Sequence, residues 1–183
     1  FLSERKALVE LKTVSDGELR IIADSAFSAL LKERFIPVPT IIIPKRRFDE
    51  VGLWDSEMDG VEDYEFYLRL SREFPLGYIN KVLARCRIHG ANISCDVIRQ
   101  NERRIGMLRQ FENDSSLSNA DRLGLRRRLS ELYIESAWYF KNAGFPERAR
   151  ADYLCAWSFD KCNCGALLRC AATLGRHSRG SVL

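Results

Sequence analysis

Between Asp55 and Glu65 the chain places six carboxylates in eleven residues: Asp55, Glu57, Asp59, Glu62, Asp63 and Glu65. Acids at this density can accept protons or lie along a solvated face. Leu53, Trp54, Met58, Val61, Tyr64, Phe66 and Tyr67 are interleaved with them. That much apolar surface points to a folded, partly buried loop rather than a disordered acidic tail. Glu62 and Asp63 open a run in which Tyr64, Tyr67, Leu68 and Leu70 recur at helical spacing, so both face the positive end of a helix dipole. Two readings of the pair stand. They are helix-start acids contributing about 0.3–1 kcal/mol each, or an acid pair with a chemical task.

A second group is basic. Arg85, Arg87 and His89 alternate along a β-branched and aliphatic stretch, Val82 to Ile88, and alternation puts them on one side of a strand. There they would gather positive charge beside one rim of a sheet or form a solvated polar face. Lys45, Arg46 and Arg47 read as a solvated strand end. The six cysteines, at 86, 95, 155, 162, 164 and 170, lack the C-x-x-C spacing of a zinc site and read as free buried thiols. Cys162-Asn163-Cys164 has no histidine or second pair to complete a soft-metal site.

The elements that must hold these groups follow from periodicity and punctuation. Residues 1–19 read as a strand pair or a helix tail, with a turn at Ser15-Asp16-Gly17-Glu18. Residues 21–35 predict a helix carrying Ile22, Ala26, Ala29, Leu30 and Phe35 on one face. Pro37 and Pro39 stop it, and the β-branched run Thr40-Ile41-Ile42-Ile43 predicts a buried strand up to Pro44. A short helix over 48–51 and a tight passage at Gly52 lead into the acidic loop. The helix that opens at Glu62 runs to about Glu73 and ends before Pro75; strands follow at 76–79 and 82–88.

From Asp96 onward Leu, Arg, Glu and Ala recur at helical spacing over 98–111, 121–140 and 147–157, broken by Asn113-Asp114-Ser115-Ser116 and Ala143-Gly144-Phe145-Pro146. Arg122, Arg126, Arg127 and Arg128 give one helix a basic run, read as a solvated helix or as a face for anionic lipid. The last residues, 176–183, are small and polar and read as frayed.

A net charge of +4 from 29 basic and 25 acidic residues is too small to argue for a nucleic-acid partner. No apolar run reaches the length of a membrane span and no secretory signal pattern opens the chain, so a cytoplasmic protein is expected, peripheral at the inner face of a membrane at most. A start at Phe1 suggests a fragment or a processed chain.

The run from Ile36 to Ser94 resembles the acceptor-side half of the inverting family 2 glycosyltransferases. It carries in order a Pro/Thr strand followed by basic residues, F-D-E-V-G-L-W-D, then E-D with aromatics and L-R-L, then L-A-R-x-R-x-H-x-x-N-x-S. Four linked motifs over about sixty residues are specific where any one would be weak. The resemblance implies an α/β chain, an incomplete GT-A-type sheet with flanking helices over 1–97, followed by an all-helical region over 98–183. It also implies sugar transfer from a nucleotide-sugar donor to a saccharide or lipid-linked acceptor with inversion, as in polysaccharide biosynthesis. Such transfer needs a base for the acceptor hydroxyl and positive charge for the leaving diphosphate. By position the base matches Asp63, with Glu62 as acceptor binder or orienting partner. Trp54, Asp55 and Thr40 match the acceptor side; Arg85, Arg87 and His89 match the diphosphate, with His89 near its Mg²⁺ or Mn²⁺.

The family holds donor and ion on a preceding half ending in D-x-D, and no D-x-D occurs in this chain. The expectation is therefore a glycosyltransferase part that does not catalyse alone and binds no ion tightly. The alternative is a non-catalytic protein-interaction module on a degenerate fold of that family. Its support is the stretch 132–156, which resembles a tetratricopeptide helical hairpin with Ala137, Gly144, Ala149, Tyr153 and Ala156 at packing positions.

Overall fold

A computed structural model describes residues 25–79, 81–85, 87 and 96–174, and the backbone of 11–15 and 19–22. The chain divides into two units, Phe1–Cys95 and Asp96–Leu183.

In the first unit, strands β1 (Leu11–Ser15), β2 (Leu19–Ile22) and β3 (Gly77–Ile79) pair antiparallel in that order. Leu11 lies opposite Ile22 and Leu19 opposite Ile79, with an irregularity between Thr13 and Ser15. Helix α1 (Ala26–Lys32) begins where the Ser25 hydroxyl accepts from the Ser28 amide, and it buries Ala26, Phe27, Ala29, Leu30 and Leu31. Helix α2 (Arg46–Val51) stops at Gly52, whose φ of +86° suits a residue without a Cβ. Helix α3 (Glu62–Glu73) buries Tyr64, Phe66, Tyr67, Leu68 and Leu70 and packs on α1, where the Tyr64 hydroxyl donates to the Leu30 carbonyl. It ends as Phe74 turns extended ahead of Pro75, since proline disfavours a helical residue before it.

The expected α/β fold with a GT-A-type sheet is not what the chain forms: the described residues are mostly helical. The strand expected over Thr40 to Ile43 is absent. Val38–Thr40 is a single 3₁₀ turn, Ile41 is extended, and Ile42 is 89% exposed. The strand expected over 82–88 is also missing where the chain is described, with Val82 90% and Leu83 70% exposed. β-branched side chains favour a strand only where a pleated neighbour gives them something to pack on. Pro37, Pro39 and Pro44 moreover remove backbone donors on either side of the first stretch. Neither stretch has such a neighbour among the described residues.

The second unit is a succession of helices: α4 (Val97–Arg109), α5 (Asn119–Asn142), α6 (Pro146–Phe159) and α7 (Cys164–Leu174), each packed on the next. Asp96 and Ser118 cap α4 and α5 by accepting from the amides of Arg99 and Asp121 at 3.1 Å. Helix α5 ends in a Schellman turn. The Phe145 amide donates to the Phe140 carbonyl at 2.8 Å, Gly144 takes φ +87°, and the Phe140 and Phe145 rings meet edge to face. Pro146 then starts α6, where its missing N–H costs nothing. Ala137, Ala149 and Tyr153 form the core of this hairpin, with Ile134, Phe140 and Cys170 against it; Ala156 is also fully buried.

Candidate functional site

The acidic loop is built onto α3 by one arginine. Arg69 is held by Glu65 one turn earlier, at 2.7 and 2.9 Å, and donates to the carbonyls of Val51 and Leu53, the latter at 2.7 Å. These bonds satisfy the last carbonyl of α2 and a carbonyl of the loop after it. A Cβ on Gly52 would stand 3.3 Å from the Arg69 guanidinium, so the residue that ends α2 also makes room for the clamp.

The clamp presents Trp54. Its ring lies 4.5 Å from that of Phe66 and meets Tyr67 edge-on at 5.9 Å, while Phe48 stacks on the other ring of the group, Phe66, at 5.1 Å. Trp54 stays 38% exposed. Phe66 and Tyr67 are fully buried one helical turn after Glu62 and Asp63, so the aromatic platform and the acid pair belong to consecutive turns of α3.

Asp63 is not an open carboxylate. One oxygen accepts from the Tyr64 amide at 2.8 Å and the other from the Arg34 guanidinium. The Asp63 side chain is 6% exposed and that of Arg34 27%, so solvent reaches the pair from the arginine side. Tyr67 lies within the field of both. Its hydroxyl is pushed up to about 12, first by burial and then by the negative charge of Asp63, while Arg34 pulls it down. It therefore stays protonated through neutral pH. Neither that hydroxyl nor the buried Oε2 of Glu62 has a hydrogen-bond partner among the described residues.

The other sequence-assigned residues are scattered. Asp55 caps the 3₁₀ turn Ser56–Met58 by accepting from the Glu57 amide at 2.9 Å, and the exposed Thr40 hydroxyl donates to the Pro37 carbonyl at 2.7 Å. Arg85 and Arg87 are exposed in irregular backbone, and no strand aligns them among the described residues; His89 lies outside the described residues. Among the described residues no group of three His, Cys, Asp or Glu side chains is placed to hold an ion.

The basic run of α5 is largely committed within its own unit. Arg122 donates to the Asp114 carbonyl, Arg126 to the carbonyls of Ser158 and Phe159, and Arg128 pairs with Glu131. Among the described residues no helix is long and apolar enough to cross a membrane. No protein-family model, curated protein or solved structure matches the chain.

Sequence reasoning missed Arg34, Arg69 and Tyr67. Arg69 left a trace, the Glu65–Arg69 spacing of a helical ion pair. The partnership of Arg34 with Asp63 spans 29 positions, and no local pattern encodes it.

Proposed function

We propose that residues 36–94 are the acceptor-side segment of an inverting glycosyltransferase that uses a nucleotide-sugar donor and a saccharide or lipid-linked acceptor at the cytoplasmic face of a membrane. The four ordered motifs support this reading, and one observation carries it. Trp54, partly exposed, rests on the same stretch of helix whose first turn holds Glu62 and Asp63. A flat apolar ring beside carboxylates suits a pyranose, which offers a C–H face to the ring and hydroxyls to the acids.

In this reading Asp63 becomes a base when an acceptor hydroxyl replaces Arg34 at its second oxygen. The freed guanidinium, already on the solvent side, then stands ready for an anionic group. Glu62, with one buried oxygen unpartnered, orients the acceptor. Without a D-x-D the chain alone does not transfer sugar.

Titration of the chain with oligosaccharides, followed by tryptophan fluorescence and ligand-observed NMR, tests the proposal. Saturable binding near 1 mM, on the scale of about −4 kcal/mol, is expected and should vanish in Trp54→Ala. Saccharide binding that survives Trp54→Ala overturns the site. If the folded chain binds no saccharide, the second reading gains, a helical module for a protein partner. Its support is the exposure of Trp138, Phe145, Leu154 and Leu168 on α5 to α7.

A further inference from the structure

The turn between α6 and α7 carries two cysteines two positions apart, and sequence reasoning had placed both among buried cysteines. Four cysteines fall among the described residues. Cys155 and Cys170 are half-buried: burial pushes the Cys155 thiol up, and the Cys170 thiol donates to the Arg150 carbonyl at 3.8 Å. Cys162 and Cys164 are exposed.

The backbone fixes how the exposed pair sits. Asp160 accepts from the Cys162 amide through its side chain at 3.1 Å and from the Asn163 amide through its carbonyl at 3.0 Å. The Cys164 amide then donates to the Cys162 carbonyl at 3.0 Å, closing a three-residue turn centred on Asn163. Such a turn draws its end residues within the Cα span of about 4.4–6.8 Å that a disulfide can bridge. The Asn163 side chain leans toward Gly165, where a Cβ would stand 3.3 Å from its oxygen.

We infer that Cys162 and Cys164 form a dithiol site that closes to an intrachain disulfide by exchange with low-molecular-weight disulfides. One thiolate attacks a sulfur of RS–SR, the S–S bond breaks and RS⁻ leaves. The neighbouring thiolate then attacks the cysteine sulfur of the mixed disulfide and expels the second RS⁻. Two cysteine sulfurs are oxidised, one RS–SR is reduced to two RSH, and the two cysteine protons end on the released thiols. The tight turn supplies the second nucleophile at high effective concentration. The half-buried Cys155 and Cys170 lack that access.

The test treats the full chain with glutathione disulfide, blocks the remaining thiols by alkylation and digests with trypsin. Cleavage after Lys161 and Arg169 releases residues 162–169, which contain these two cysteines and no other. The expected peptide is lighter than its reduced form by two hydrogens and carries neither alkyl group nor glutathione. Cys162→Ser and Cys164→Ser should each stop at one bound glutathione on the remaining cysteine, and a monothiol reductant should restore two alkylatable sulfurs in the native chain. Glutathione on both cysteines of the native peptide, a bond from either to Cys155 or Cys170, or a peptide that stays fully alkylatable would each overturn the inference.

Discussion

The two units each bury an aspartate, in different company. Asp63, in the first, faces a guanidinium; Asp152, in the second, receives the hydroxyl of Ser136 at 2.7 Å, both oxygens of that bond lying inside the α5–α6 hairpin. A counter-charge makes a buried carboxylate dependent on its partner, because removing one member strands the other. A neutral donor leaves the carboxyl free to take up a proton instead. Burial does push the Asp152 carboxyl above its usual range, with Glu102 adding to the rise and the Ser136 bond and Arg148 opposing it. The first arrangement ties each charge to its partner. The second is a packing solution whose charge is incidental.

The largest effect should come from breaking the charged pair. Arg34→Ala leaves Asp63 buried with only the Tyr64 amide for company, and the unit should lose about 3 kcal/mol, the lower end for a broken buried pair because Arg34 is partly exposed. Adding Asp63→Asn should restore most of that loss, since the charge is gone. Denaturant titration of the single and double variants reads this directly. Equal destabilisation in both would mean that Arg34 works by packing and the contrast with Asp152 fails.

The next effect is smaller and depends on pH. A carboxyl whose folded value is raised contributes its full stability below the unfolded value, near pH 3.9, and that share is lost as pH rises through the raised value. Asp152→Asn keeps a hydrogen-bonding oxygen for Ser136 but removes the titration. Melting temperatures of the variant relative to the native chain should therefore rise between pH 4 and pH 7. A flat difference would show that Asp152 titrates alike in the folded and unfolded chain.

The same contrast explains what could be read in advance. Helix α3 and the α5–α6 hairpin were legible because their apolar residues recur at helical spacing and Pro75, Gly144 and Pro146 punctuate them. Trp54 and the acid pair lie within ten residues of one another, so their sharing one segment needs no tertiary information. The β-branched stretches were misread, since strand formation needs a neighbour and Ile42 and Val82 are left almost fully exposed. The pairing of Asp63 with Arg34 and the exposure of Cys162 and Cys164 are products of tertiary packing. No residue adjacent to them reports it.

The smallest effect expected is at the hairpin turn. Gly144 holds φ +87°, and a Cβ added there would meet nothing within 4 Å, so Gly144→Ala probes the backbone conformation alone. An L-residue held in the left-handed region costs about 1 kcal/mol relative to glycine. The Schellman bond from Phe145 to Phe140 and the contact between their rings should hold the turn in place, so that this cost appears as lost stability and not as a rearranged turn. Gly144→Asn should lose less, because asparagine tolerates that conformation best among the larger residues. Denaturation midpoints of the two variants decide it. A loss well beyond about 1 kcal/mol in both would mean that the turn had opened and taken the Ala137–Ala149–Tyr153 core with it, making the second unit depend on one junction as the first depends on one ion pair.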